Sequence, residues 1–345
     1  MKPVKIGFEE SLKKDVIDSG KCLGCRTCIV VCPFGCLDYG EEKPTLVKEC
    51  KNCGICAQAC PQYGWVRSEA EKFVFGRERK PEEKFGIYRK LVIAQATDSQ
   101  ILKVCQDGGI VTALLLFALK EGIIDGAIVA AEDPQKPLYP YPMLATTPQE
   151  ILQSAGTKYF YSPNILALTE TTKQKKSGIA FVGTPCHIRA IRKMEMSGLK
   201  KYTTPLKFLI GLACSECFDY KGLMENHIHK KLGVNLSRIR KMNIKGDMLL
   251  TLDSETVSIP LAEIKQYVRK NCSSCNDFSA ELADISVGGL GLKNWSLVII
   301  RTEKGEELFS KAERAGVIKT RDVNEEPFTL KLLKKLSKRK ARTKH

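Results

Sequence analysis

Histidine is scarce in this chain, four in 345 residues, and tryptophan scarcer at two. With so few imidazoles, chemistry that relies on histidine as a base or proton shuttle has little to draw on. Long apolar runs are missing too. The longest candidate, Ile110 to Leu119, has the length of a buried helix and falls short of the about 18 apolar residues of a membrane span. Residues 1–10 hold no apolar core of a secretory signal, so a cytoplasmic, reduced protein is expected, with its cysteines free of disulfides. Acidic residues are outnumbered, 39 Asp and Glu against 55 Lys and Arg, for a net charge of +16. Half of that excess lies between Lys331 and His345, where eight basic residues meet no acid. A basic balance points first to nucleic acid, but no recognition motif accompanies it, and no nucleic-acid partner is expected.

What the chain has in plenty is cysteine, fifteen in all. Eight of them spell C-x-x-C-x-x-C-x-x-x-C-P twice: Cys22, Cys25, Cys28, Cys32 with Pro33, then Cys50, Cys53, Cys56, Cys60 with Pro61, each 28 residues after its counterpart. This is the spacing of the two-cluster bacterial ferredoxins, in which the fourth cysteine of each run ligates the other run's cluster. One [4Fe–4S] set is therefore Cys22, Cys25, Cys28 and Cys60, and the other is Cys50, Cys53, Cys56 and Cys32. Zinc does not need four cysteines at these spacings. Cys36, left over in the loop after the first run, reads as a packed thiol.

The apolar fraction of 43% suits a soluble globular protein. Residues 1–66 read as the ferredoxin-like domain, 67–84 as a charged surface linker, 85–328 as a larger catalytic domain and 329–345 as a basic amphipathic tail. In the larger domain strands are expected at Leu91 to Thr97, Ile123 to Ala131, Ile179 to Gly183, Leu206 to Leu212, Ala283 to Gly289 and Ser296 to Thr302. They alternate with helices at Ile110 to Lys120, Ile165 to Thr172, Ile188 to Met196 and from about Glu306. The proline-rich stretch from Pro134 to Pro148 reads as an irregular loop. The pattern predicts an α/β core with a largely parallel sheet behind the small ferredoxin domain. Two strands end in cysteine, at Cys186 and Cys214, where open α/β sheets place their ligand crevices.

Cys214, Cys217, Cys272 and Cys275 form two C-x-x-C pairs, the plain reading of which is zinc. A third [4Fe–4S] cluster that includes Cys186 is the alternative. Gln106-Asp107-Gly108-Gly109, before a helix, is a candidate phosphate cradle or a turn that happens to contain two glycines. It is not a G-x-G-x-x-G fingerprint, so a nicotinamide Rossmann site is not indicated. Lys158 alone reads as a surface lysine. The tail, with Leu330, Leu332, Leu333 and Leu336 among basic residues, suits an anionic membrane surface or acidic partner, or else a frayed, solvated end.

Six ordered motifs carry a family resemblance. They are Gln106-Asp107-Gly108-Gly109 with Val111-Thr112-Ala113-Leu114, Ser154 to Tyr159 (SAGTKY), Gly183-Thr184-Pro185-Cys186, Gly211-Leu212-x-Cys214, Cys272-x-x-Cys275-x-Asp277-Phe278 and Ala283 to Gly288 (ADISVG). Together, over about Phe85 to Leu308, they resemble the beta-subunit family of the coenzyme F420 hydrogenases and dehydrogenases. The resemblance implies a flavoprotein in which FAD exchanges a hydride with F420 and passes single electrons to iron–sulfur clusters. It turns the zinc reading into a third [4Fe–4S] cluster on Cys186, Cys214, Cys272 and Cys275. It places FAD at Gln106, Asp107, Gly108, Gly109, Val111, Thr112, Gly156, Thr157 and Lys158, where a lysine cation can stabilise an anionic reduced flavin. With a ferredoxin module in front, the chain resembles the electron-input subunits that oxidise reduced F420 in archaeal respiratory chains. That implies as partner a membrane-bound respiratory dehydrogenase complex, quinone- or methanophenazine-reducing, or ferredoxin. The basic tail would then touch the inner face of the cytoplasmic membrane.

Overall fold

The computed structural model describes residues 5–40 and 42–342. The cysteine-rich module contains a hairpin of β1 (Leu37–Gly40) and β2 (Lys43–Leu46). The larger domain continues with β3 (Lys90–Ala96), β4 (Gly126–Glu132), β5 (Pro140–Ala145), β6 (Ile179–Gly183), β7 (Leu206–Leu212), β8 (Lys241–Lys245), β9 (Asp247–Thr251), β10 (Thr256–Ile259), β11 (Ile285–Gly288), β12 (Ser296–Ile300) and β13 (Ile318–Asp322).

Eight of these strands form one sheet in the order β13-β3-β12-β11-β7-β6-β4-β5. The central block β11-β7-β6-β4 is parallel, and β12, β3, β13 and β5 join through antiparallel pairs. The fold is thus mixed α/β, with the expected parallel arrangement at the centre and antiparallel strands on both flanks. The stretch expected as an irregular loop contains β5, whose Pro140 and Pro142 are tolerated because it is an edge strand with one neighbour.

Strand β6 shows why the sheet reads as continuous apolar runs. Ala180 and Val182 face one core with the helices Ile110–Lys120 and Glu303–Arg314, while Ile179 and Phe181 face the other with helix Pro185–Met196. Side chains alternate across a strand, so a sheet covered on both faces must be apolar at every position. The second core runs on without a break into the cysteine-rich module, where Leu12, Val16, Val31 and Ala59 join Ile188, Ile191 and Met194. The module is therefore packed on the larger domain and shares its core.

Two expectations are corrected, and one element that the sequence analysis did not foresee appears. Residues 67–84, read as a surface linker, hold helix Arg67–Phe75 with Ala70 and Glu71 buried, and Arg79 bridges Glu71 to Glu281 of the larger domain. Charge there serves a buried ion-pair network and does not mark a solvated strand of chain. Residues 241–259 fold as the three-stranded sheet β10-β9-β8, which shares a separate core with helix Lys221–Lys231. The basic tail is not a frayed end: helix Pro327–Ala341 buries Leu333 and packs Leu330 and Leu336 on Ile93, Leu297 and Ile299, while Lys331, Lys334, Lys335, Lys338 and Arg339 stay exposed. Its amphipathic stripe covers the sheet, and residues 343–345 lie outside the described residues.

Asp284 ties the layers together. Fully buried, it accepts from the Leu209 amide (2.7 Å), Arg192 (3.0 Å) and the Thr302 hydroxyl (2.8 Å), with Lys304 at 3.3 Å. Desolvation pushes its carboxyl up, but Arg192 and Lys304 with the Thr302 and Leu209 donors outweigh it and hold the group below the ordinary carboxylate value. A depressed folded-state value means that this stabilisation is present above the unfolded pKa, about 4, and fades as pH falls through the lower folded value. Asp284→Ala, which removes the buried carboxylate that Arg192, Thr302 and the Leu209 amide share, is expected to cost about 3–5 kcal/mol, read by denaturant unfolding at neutral pH, with the wild-type advantage shrinking in acid.

Candidate metal centres

The two cysteine runs share their local geometry as well as their spacing. Arg26 and Gly54, again 28 residues apart, both adopt left-handed conformations (φ 65° and 70°). Each opens a five-residue helix, Thr27–Val31 and Ile55–Ala59, and Cys32 and Cys60 leave those helices extended. The chain thus wraps each set of three thiols around a hollow and sends the fourth away, toward the other run.

Three cavities are lined by cysteine. The first has Cys22, Cys25, Cys28 and Cys60 in its wall. The second has Cys32, Cys36, Cys50, Cys53 and Cys56. The third has Cys186, Cys214, Cys217, Cys272 and Cys275. In the first two, the fourth thiol of each run faces the other run's loop. All fifteen cysteines are free. Backbone N–H groups of Gly24, Cys36 and Cys217 donate to the sulfurs of Cys22, Cys32 and Cys272, each at 3.3 Å. Burial pushes the Cys22 thiol up to about 11 and those of Cys56, Cys60 and Cys275 up to about 12. Thiols so desolvated ionise at neutral pH only when a metal takes the negative charge. The donor set, its spacing and these N–H···S contacts fit iron–sulfur clusters.

The third cavity lies at the carboxyl ends of β6 and β7. Thr184 begins helix Pro185–Met196 with Cys186 in its first turn, and His187 Nδ1 accepts from the Thr184 amide at 3.3 Å. Burial pushes His187 down to about 3, so its ring is neutral and serves as a cap. Cys214 follows β7, and Cys272 and Cys275 sit on the turn around Lys270–Ser274. Cys217 and Cys36, the fifth thiols of the third and second cavities, are buried at 6% and 4% exposure. Cys36 donates to the Glu49 carbonyl at 3.2 Å. Sequence reasoning did not find Lys340, whose Nζ donates to the Ser215 and Cys272 carbonyls at the rim of the third cavity. Nor did it find Arg269, which lines the same cavity.

The Gln106–Thr112 loop meets β8, and Tyr159, next to residues 156–158, reaches the same strand through Asn243 (3.5 Å). Gln106 Nε2 donates to the Met242 carbonyl (3.1 Å), and Lys241 Nζ to the carbonyls of Cys105 (3.2 Å) and Gln106 (3.1 Å). Asp107, raised by burial, faces Lys245 and Lys241. Lys158 Nζ donates to the carbonyls of Ser154, Ala155 and Gly156, and burial pushes it down to about 8. Val111 packs on the core, Thr112 is buried and Thr157 is exposed. The glycine pair is committed to packing. A Cβ on Gly108 would lie 2.5 Å from the Ala94 carbonyl and 2.7 Å from the Ser296 amide, and Gly109, at φ 72°, presses on Ile101. Lys241 and Lys245 were missed because β8 was, although their spacing puts both on one strand face.

A mixed α/β domain with a cysteine-lined cavity at its strand ends, fused to a two-run cysteine module, defines an iron–sulfur protein of the electron-transfer class. Residues 14–61 match the 4Fe-4S dicluster domain, 91–169 the N-terminal part and 176–326 the C-terminal part of the coenzyme F420 hydrogenase/dehydrogenase beta subunit. The chain belongs to that family. It is 41% identical over 263 residues to the beta subunit of the coenzyme F420 hydrogenase of Methanothermobacter thermautotrophicus, covering 74% of this chain and 92% of that one. Against a subunit of the F420H2 dehydrogenase of Methanosarcina mazei it is 30% identical, over 86% of this chain and 83% of that one. A chain of the F420-reducing [NiFe] hydrogenase complex from Methanosarcina barkeri superimposes with a TM-score of 0.73 at 36% identity, covering 77% of this chain and 92% of that chain.

Gly108→Ala meets two backbone atoms that cannot swing aside. It is expected to destabilise the domain by about 1–3 kcal/mol, read as a lowered thermal midpoint in protein stripped of cofactors.

Proposed function

We propose that this chain oxidises reduced coenzyme F420 by hydride transfer to bound FAD and passes the electrons singly through [4Fe–4S] clusters to a partner complex or ferredoxin. The observation that carries the reading is the run of three cysteine-lined cavities, the third at the strand ends of a domain whose relatives are named for F420. Cys22, Cys25, Cys28 and Cys60 would hold one cluster, Cys32, Cys50, Cys53 and Cys56 a second, and Cys186, Cys214, Cys272 and Cys275 a third.

FAD supplies the two-electron to one-electron conversion that F420 oxidation into clusters requires. Lys158 is a half-buried cation whose hydrogen-bond partners are neutral carbonyls, and Lys241 and Lys245 stand by Asp107. Such a set fits an anionic cofactor held by Gln106, Gly156, Thr157 and these lysines. Gly108 and Gly109 shape the loop from behind. Asp107, Val111 and Thr112 fix the loop and the first turn of its helix. The basic surface favours encounter with an anionic substrate or an acidic acceptor.

The match to the dehydrogenase chain spans more of this protein than the match to the hydrogenase chain, 86% against 74%, which favours the dehydrogenase organisation. The higher identity to the hydrogenase chain, 41% against 30%, favours a second reading, the beta subunit of an F420-dependent hydrogenase. Purification from its source separates the two: a nickel-bearing partner protein supports the second, a quinone- or methanophenazine-reducing assembly the first.

Anaerobic titration of the purified chain with reduced F420 tests the activity. Bleaching of flavin and cluster absorbance is expected, with one FAD per chain. Lys158→Met is expected to weaken FAD retention roughly tenfold or more, since removing a charged hydrogen-bond partner costs about 1.5–3 kcal/mol. No flavin and no bleaching after FAD reconstitution would leave an electron relay only.

A further inference from the structure

Arg269 is buried, with 7% of its surface exposed. Its guanidinium donates to the carbonyls of Leu23 and Gly24, both at 3.3 Å, and to the Tyr39 hydroxyl at 3.1 Å, and it stacks 3.8 Å from the centre of the Tyr161 ring. All of these partners are neutral. Burial pushes the phenols of Tyr39 and Tyr161 up, so neither supplies negative charge at neutral pH. Among the described residues no carboxylate forms an ion pair with Arg269. The other deeply buried guanidiniums differ: Arg192 has Asp284 and Glu195 as partners, and Arg301 has Glu281 and Asp277 beside it. An unpaired buried charge is costly, and proteins provide a counter-charge for it.

Arg269 stands between two cysteine-lined cavities. It is in the wall of the third, and the acidic groups that feel its charge include Cys186 and Cys272 of the third and Cys22 and Cys25 of the first. Leu23 belongs to the walls of both. The chain is sewn together at this point: Asn271 Nδ2 donates to the Cys22 carbonyl (3.0 Å), Ser274 Oγ to Gly20 (2.6 Å) and Gln62 Nε2 to Ser274 (3.3 Å). Gly24 leaves the space that the guanidinium fills, for a Cβ there would lie 2.0 Å from Arg269 Nη2.

We propose that Arg269 is a positioning residue for electron transfer, the shared counter-ion of the clusters in the first and third cavities, raising the reduction potential of both. The inference rests on the reading of those cavities as [4Fe–4S] sites. A cluster on four thiolates is anionic and gains one more negative charge when reduced, so a fixed cation in low dielectric favours the reduced form. One electron leaves the third cluster, which is oxidised, and enters the first, which is reduced. A cation common to both raises donor and acceptor together, so the step stays near balance while the electron is held against loss to solvent oxidants. Among the described residues, the second cavity has no such cation in its wall except Lys51 at its rim.

The test is redox titration of the reconstituted holoprotein, followed by electron paramagnetic resonance, for wild type, Arg269→Gln and Arg269→Lys. In Arg269→Gln the two midpoints near Arg269 are expected to fall so that the reduced-to-oxidised ratio at fixed potential drops about tenfold, 59 mV for one electron. The cluster of Cys32, Cys50, Cys53 and Cys56 should hold its midpoint, and Arg269→Lys should hold all three. Unchanged midpoints in Arg269→Gln, or an equal fall of all three, overturn the proposal. If Arg269→Gln loses its clusters, Arg269→Lys decides alone: retained midpoints support the charge role, and a fall of the first and third overturns it. Wild-type protein with about eight irons and stoichiometric zinc would overturn the three-cluster reading itself, whereas about twelve irons with immobile midpoints would overturn only the role of Arg269.

Discussion

The seam between residues 20–25 and 269–275 is the contact on which the arrangement depends. Two stretches some 250 residues apart in sequence meet there through Arg269, Asn271, Ser274 and Gln62. Most of the bonds run to backbone carbonyls, so the seam fixes the path of the chain more than the choice of neighbouring side chains. Because the same two stretches carry Cys22, Cys25, Cys272 and Cys275, fixing them fixes the distance between two cavities. An electron relay needs that distance held, and a loosely tethered ferredoxin module would not hold it. The shared apolar core around helix Pro185–Met196 adds the rigidity, since the helix that presents Cys186 also packs on the module.

The sheet supplies the second constraint. Parallel strands β6 and β7 end side by side, and the chain leaving each of them meets the turn of Cys272 and Cys275. A crevice at the carboxyl ends of adjacent parallel strands is where open α/β sheets bind ligands. Here the crevice is closed by the C-terminal helix, which reaches it with Lys340 after burying Leu333 on the sheet. The basic residues of this helix therefore divide between solvent and the rim of the third cavity.

Much of this was legible in the sequence. A 28-residue offset repeated at four cysteines leaves one physical reading, and the apolar runs IAFVG and LKFLIGL mark strands buried on both faces. The linker and tail were misread because composition reports charge but not partners. Glu71 and Arg79 look solvated until Glu281, some 200 residues on, completes the network. The tail's leucines look lipid-facing until β3 and β12 are seen beneath them. The Gly108-Gly109 pair looks like a cradle for phosphate, and the structure spends both glycines on close contact with the sheet and with Ile101. Arg269 carries no local signal at all, since its partners, the Leu23 and Gly24 carbonyls, the Tyr39 hydroxyl and the Tyr161 ring, all lie more than 100 residues away in sequence.

The first and third cavities share Leu23 in their walls, and the proposed third cluster would stand next to the first. The most direct measurement is electron paramagnetic resonance of the fully reduced protein, compared with a Cys272→Ser, Cys275→Ser double variant. Contiguity predicts signals broadened by spin coupling between neighbouring clusters, with the variant losing the coupling to the third site and retaining that within the ferredoxin module. Identical spectra from the two proteins would contradict it.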